Sequence, residues 1–245
     1  MIGLPFMNSR RFAALCNLRY PTQPMTKSTQ TPWLGRRTVL TGLSASTTLL
    51  LLPVAPSRAQ HKLMATPRQS EGPFYPVEWN GDIDADLVVV KGEPAQALGQ
   101  ITHINGHILD ATAQPVVGAS VEIWQCDANG VYRHPRGGGG TSSRDQGFQG
   151  RGRATSDASG RYAFRTIRPV AYPGRAPHIH FKVVLPDGRA LVTQMYVFGE
   201  VQNERDGVLN SVRDRRQRDA LIVRLAPAEA LEPGALAGVF DIVVG

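Results

Sequence analysis

The sequence predicts an all-β fold, an antiparallel β-sandwich with long functional loops and little helix. Three features carry that expectation. Seven short runs rich in β-branched and aromatic residues follow one another from Ile101 to Val244. Turn signals separate them, among them Asp127-Ala128-Asn129-Gly130, Asp157-Ala158-Ser159-Gly160 and Pro186-Asp187-Gly188. No long 3.6-residue apolar period interrupts the series, and punctuated short runs of this kind are the pattern of a sandwich.

Taken in order, the expected strands are 101–109, 120–124, 162–167, 178–185, 191–198, 221–225 and 239–244. A helix is expected at 210–220, where Val212 sits among charged residues. A Gly- and Arg-rich loop fills 135–153, with four consecutive glycines from Gly137 to Gly140. A loop of that length inside a compact domain usually serves function. Before the strands, residues 60–98 are rich in Pro, Gly and polar side chains and read as an extended arm, leaving 99–245 as the sandwich domain.

The first 59 residues are a different kind of sequence. They hold no Asp or Glu but seven of the 27 basic residues, so the remaining 20 balance the 20 acidic ones and the net charge of +7 belongs wholly to this leader. A basic nucleic-acid surface on the folded domain therefore loses its support. Gly35-Arg36-Arg37-Thr38 precedes an apolar run through Leu49-Leu50-Leu51-Leu52 and a small-residue end at Ser57-Arg58-Ala59. Charged, apolar and small segments in that order form an export signal. Paired arginines directly before the apolar run resemble a twin-arginine signal. The leader is expected to be cleaved and the mature protein to be periplasmic or secreted, with Met25 an alternative start. An uncleaved anchor is the competing reading, weakened by the Gly, Ser and Thr residues that interrupt the run.

Cys16 would leave with the leader, so Cys126 stands alone and no intrachain disulfide is expected in the mature chain. Following the strand-like Val121-Glu122-Ile123-Trp124-Gln125, it reads as a packed thiol and not a nucleophile.

Chemistry concentrates in Arg175-Ala176-Pro177-His178-Ile179-His180-Phe181. On a strand, alternate side chains leave the same face, so His178 and His180 point together while Ile179 and Phe181 point into the other layer. Such a pair can converge on one metal, although many His-x-His pairs are ordinary surface or core histidines. Tyr132 and Tyr172 lie in loop-like segments that could serve the same centre; taken singly, each reads as a common loop aromatic. Tyr75, Tyr162 and Tyr196 take the structural reading, and Ile123 and Trp124 that of sandwich core.

Taken whole, the chain from Glu71 to Gly245 resembles the intradiol ring-cleavage dioxygenases, especially the protocatechuate-type catalytic subunits. The resemblance rests on Glu71-Gly72-Pro73-Phe74-Tyr75-Pro76, on Gly118-Ala119 leading to Val121 through Gln125, and on Gly130-Val131-Tyr132-Arg133-His134. It continues through Gly160 to Ile167, Arg175 to Phe181, Thr193-Gln194-Met195-Tyr196 and Phe240-Asp241-Ile242-Val243. The resemblance implies an Fe(III) centre held by Tyr132, Tyr172, His178 and His180, with Tyr172 and His180 axial and Tyr132 and His178 equatorial beside a hydroxide. It further implies roles for Tyr172 as a departing base and for Gln194 as a hydrogen-bonding neighbour, while Arg175, three residues before His178, reads from its position as a catalytic fixed positive charge beside the metal, with a surface ion pair as the alternative. Gly72, Pro73 and Phe74 would line the mouth. Phenolates are hard, anionic ligands, which favours ferric over ferrous iron and separates such a site from the two-His-one-carboxylate centres.

The implied partners are a small catechol-type substrate and O2, with no nucleic acid and no stable membrane anchor after cleavage; an oligomer is compatible with the sequence. Two departures stand out. Only Pro173 and Gly174 separate Tyr172 from Arg175, where protocatechuate enzymes carry a longer segment with substrate-contacting aromatics. The roughly 40 residues between leader and sandwich leave no room for the helical dimerisation segment of catechol and hydroxyquinol dioxygenases. The rival readings are a non-catalytic β-sandwich binding module and a zinc hydrolase, the latter disfavoured because zinc seldom takes tyrosine ligands.

Overall fold

The computed structural model describes residues 62–137 and 143–245. The leader and Gly138 to Gly140 of the glycine run lie outside the described residues.

Among the described residues, ten strands form two sheets. The first contains β1 (Ile101–Asp110), β4 (Arg161–Ile167), β8 (Ala226–Pro227), β9 (Leu236–Val239) and β10 (Ile242–Val244). The second runs in the order β3 (Arg151–Thr155), β2 (Ser120–Trp124), β5 (His178–Val184), β6 (Ala190–Val197), β7 (Ile222–Val223). Among the described residues, helix is confined to α1 (Gly207–Asn210), α2 (Arg215–Asp219) and one 3-10 turn at Val201–Glu204. The sandwich is thus all-β as predicted, with mixed pairing: β1 runs parallel to β9 and β10, and β6 parallel to β7.

Alternation builds the core between the sheets. Thr102, Ile104 and Ile108 of β1 face inward, as do Val121 and Ile123 of β2 and Ile179, Phe181 and Val183 of β5. Phe181 meets Tyr162 and Phe240 edge-on, joining the two layers. Each such fully buried apolar side chain contributes about 1.5–3 kcal/mol.

The run 239–244 splits into two strands for a steric reason. β1 pairs with β9 at Thr102–Asn105 and with β10 at Ile108–Asp110, and between them the backbone of Phe240 crosses Gly106. A Cβ on Gly106 would stand 2.0 Å from the Phe240 carbonyl oxygen, so only glycine fits. Tyr162 donates its hydroxyl proton to that same carbonyl. Strand β3 starts within the end of the predicted loop 135–153 and runs two residues past it; its sequence, Arg-Gly-Arg-Ala-Thr, lacks β-branched alternation, and its pairing with β2 makes the strand. The predicted helix 210–220 is realised only at its ends, because Asp214 caps a second short helix and stops the first from continuing.

Residues 62–98 contain no strand. They cross both layers by single backbone bonds, Leu63 N–H to Ala111 O, Thr66 N–H to Val243 O and Gln69 N–H to Val192 O. This path lays the segment around Phe74 over the outward face of the second sheet. There, Tyr75 donates to Glu122 at 2.8 Å and Lys182 bonds Glu71 at 2.8 Å.

Candidate metal centre

The outward face of β5 carries the site. His178 and His180 leave the strand opposite Ile179 and Phe181, and all four are buried. β5 is held between β2 and β6, with His180 beside Trp124 on one side and Gln194 on the other. Trp124 is therefore not sandwich core: one step from Ile123, it points outward and stacks on His180 at 4.7 Å with 9° between the planes. It belongs to a second cluster with Cys126, Tyr132 and Val192. The Cys126 thiol lies 3.7 Å from the Val170 carbonyl, and burial pushes its pKa up to about 12, consistent with a packed, unreactive group.

Tyr132 follows a turn organised by Asp127. That buried carboxylate accepts from the N–H groups of Asn129, Val131 and Asp145, while Gly130 supplies the positive φ of 77°. The turn delivers Tyr132 Oη to within 3.4 Å of His178 Nε2, and Phe74 from the arm stacks on its ring at 4.7 Å.

Tyr172 is placed by the shortened segment noted in the sequence. Arg175 N–H donates to Tyr172 O at 2.9 Å, Pro173 holds the second position and Gly174 the third with φ 82°, the pattern of a type II turn. The turn brings Arg175 Nη1 to 3.3 Å from Tyr172 Oη. Tyr172 meets Tyr132 edge-on at 5.6 Å and is the more exposed of the two phenols.

The four sequence-predicted residues thus come together, although 48 positions separate the first from the last. Nε2 of His178 and Nε2 of His180 are 3.1 Å apart. Nδ1 of His178 faces the Ala176 carbonyl at 2.6 Å, which can only accept, so Nδ1 carries the proton and Nε2 presents a lone pair. Burial, with Arg175 nearby, lowers the His178 pKa to about 4; burial and His178 hold His180 well below the ordinary range. Both rings are neutral at pH 7. Burial raises both phenols, most strongly Tyr132, while Arg175 pulls Tyr172 back down. Nδ1 of His180 and Nε1 of Trp124 find no hydrogen-bond partner.

Two cis nitrogens each about 2.1 Å from one ion would stand about 3.0 Å apart, close to the spacing seen. Among the described residues no group of three or more His, Cys, Asp or Glu is placed to hold a metal. The donors gathered here are instead two imidazoles and two phenols, and phenolate charge suits a hard, highly charged cation. Buried phenols with raised pKa values surrender their protons only when such a cation replaces them.

Arg175 reaches further. Its Nη2 donates to Gln194 Oε1 at 2.6 Å and to Tyr196 Oη at 3.3 Å, and its Nε to Asp206 at 2.9 Å. Gln194 is fixed by donating to Ser70 O at 2.9 Å. Tyr196, read from the sequence as structural, lies in this network; Tyr162 does not. Asp127 and Asp206 were missed, because a lone Asp in a loop carries no periodic signal. The N-cap pattern, Asp before a short apolar run, is the one cue that marks Asp206.

A family model described as dioxygenase matches residues 70–245. The protocatechuate 3,4-dioxygenase beta chain of Burkholderia cepacia is 37% identical over 200 residues, covering 77% of this chain and 83% of the relative. The chain belongs to the intradiol dioxygenase family. The hydroxyquinol 1,2-dioxygenase of Corynebacterium glutamicum is 32% identical over 166 residues, 58% of this dioxygenase and 50% of the relative. Among solved structures, a similar fold is the dioxygenase domain of a dioxygenase carbohydrate-binding protein fusion from the cellulolytic bacterium Streptomyces sp. SirexAA-E. Its TM-score is 0.57 at 29% identity, covering 74% of this chain and 98% of that one. This dioxygenase spans most of the first and third relatives and half of the second.

Proposed function

We propose that this dioxygenase opens catechol-type rings between the two hydroxyl-bearing carbons, using O2 and a non-haem Fe(III) held by Tyr132, Tyr172, His178 and His180. Both oxygen atoms of O2 enter the product, a muconate-type dicarboxylate. The observation that carries the reading is the meeting of two neutral imidazoles, 3.1 Å apart at Nε2, with the phenols of Tyr132 and Tyr172 under one arginine.

Ferric iron bound there would supply Lewis acidity, holding the substrate oxygens as anions and keeping the ring electron-rich toward O2. The remaining work falls to the chain. Tyr172, the more exposed phenol, would hold the metal from the open side and would take a proton from an incoming hydroxyl. The Arg175 guanidinium, 3.3 Å from the Tyr172 oxygen, stabilises that phenolate beforehand and negative charge developing on the ring afterwards. Gln194 holds the guanidinium from one side. Phe74 covers Tyr132 and excludes water from the closed side of the site. The turn between Tyr172 and Arg175 is only two residues long, with Pro173 and Gly174 exposed, which supports a catechol-type substrate other than protocatechuate.

Iron-loaded protein is expected to be wine-red from tyrosinate-to-iron charge transfer, and to consume O2 with a panel of substituted catechols while product mass rises by both oxygen atoms. A colourless, iron-replete sample defeats the assignment. Arg175→Ala should keep the colour and lose turnover.

We also propose export to the periplasm or beyond, supported by Arg36-Arg37 before the apolar run and by the confinement of net charge to residues 1–59. Replacing both arginines by lysine should retain the protein in the cytoplasm; unchanged fractionation counts against this route.

A further inference from the structure

We infer that Asp206 is a positioning residue for turnover, its buried carboxylate aiming the guanidinium of Arg175 at the Tyr172 side of the site. The inference rests on the reading above, in which Arg175 faces the reacting ring.

The Asp206 side chain is wholly buried. Its Oδ2 accepts from Arg175 Nε at 2.9 Å and from Ala176 N–H at 2.8 Å. Its Oδ1 accepts from Val208 N–H at 3.0 Å and Leu209 N–H at 2.9 Å, capping α1. With both oxygens engaged on opposite sides, the carboxylate cannot rotate without breaking bonds at one end. A guanidinium is planar and rigid, so fixing Nε at Asp206 and Nη2 at Gln194 leaves one orientation for Nη1, the nitrogen at Tyr172. Without Asp206, the contacts to Gln194 and Tyr196 both fall on Nη2, and the plane could pivot about that one nitrogen.

A helix cap alone would require only one of these oxygens. Asp214 shows what such a cap looks like here: exposed, it accepts from Gln217 N–H at 3.0 Å, and no hydrogen bond links it to the site. The second oxygen of Asp206 is devoted to the segment that carries Arg175 and leads into β5. No apolar surface or turn requirement calls for an anion at that point, whereas a partly buried guanidinium does.

The test is a double-variant cycle on iron-loaded protein, with Asp206→Asn, Arg175→Ala, both together, and Asp214→Asn as the control. Asp206→Asn should retain iron and lower kcat about tenfold or more with a smaller change in KM, while adding about twofold or less in the Arg175→Ala background. Asp214→Asn should leave kcat unchanged. Losses that multiply in the double variant overturn the inference. An independent arm uses iron-free protein: the Arg175 Nε–H resonance, assigned by its loss in Arg175→Ala, should shift and exchange faster with water in Asp206→Asn, and an unmoved resonance is equally fatal. Asp206→Ser, which keeps a capping oxygen for α1, replaces Asn should that variant not fold, with the same expectations. Normal turnover in Arg175→Ala would sink the functional reading of the arginine, a result distinct from failure of the cycle.

Discussion

The two faces of β5 differ more than any two domains could. Its inward face, Ile179 and Phe181, is apolar, carries no unmet polar demand and joins a core that continues into both sheets. Its outward face, one residue away at each step, buries two imidazoles beside two phenols, and Nδ1 of His180 is left without a partner. A fold optimised for stability alone would not bury that second layer, because unpaired polar groups in a low-dielectric interior cost free energy. The same strand thus anchors the sandwich with one half of its side chains and sacrifices stability with the other. Such local violations of burial rules mark functional sites.

The comparison can be broken most sharply at the outward face. Tyr132→Phe or His178→Ala should abolish iron retention and lower turnover by about a hundredfold or more while leaving the sandwich folded, as read by metal analysis and circular dichroism. Equal iron in wild type and both variants would mean that this face does not hold the ion. At the inward face the expected loss is of another kind. Phe181→Ala should destabilise the fold by about 3–5 kcal/mol in denaturant titration, and a change below 1 kcal/mol would remove Phe181 from the core.

Acid should probe the outward layer without a mutation. The His178 pKa falls from 6.5 to about 4 on folding. The unfolded chain therefore binds more protons than the folded one between those values, and stability is lost as pH drops through that window. The full loss is about 3 kcal/mol. Iron-free protein should melt progressively lower from pH 6.5 toward 4, and the trend should be smaller in His178→Gln; identical slopes would refute the burial of a neutral imidazole. The smallest effect belongs to Tyr162→Phe, which removes the bond to the Phe240 carbonyl. It should cost about 1–3 kcal/mol of stability and leave iron content unchanged, and loss of iron there would show that the two layers are not separable.

Much of this was legible along the chain because it depends on short-range periodicity. Alternation in residues 178–181 assigns opposite faces to histidines and apolar residues, and the run 162–167 reads directly as a strand. Where local pattern is weak, pairing decided the outcome. Strand β3 exists because β2 offers an edge to Arg151–Thr155, not because its residues favour a strand. The break at Phe240 depends on a glycine more than 130 positions earlier. Trp124 was misread because its neighbour Ile123 is core, and a period of two sends adjacent residues to opposite sides.

By itself the sequence determined the fold class, the family, and the side chains able to supply two imidazoles and two phenols. Only the tertiary structure decided that those side chains meet on the outward face of β5, that a type II turn sets Tyr172 beside Arg175, and that Asp206 holds the arginine. The physical reason is range. Strand periodicity and turn chemistry act over a few residues, whereas burial and hydrogen-bond saturation are properties of groups that meet only after loops of thirty residues or more have closed.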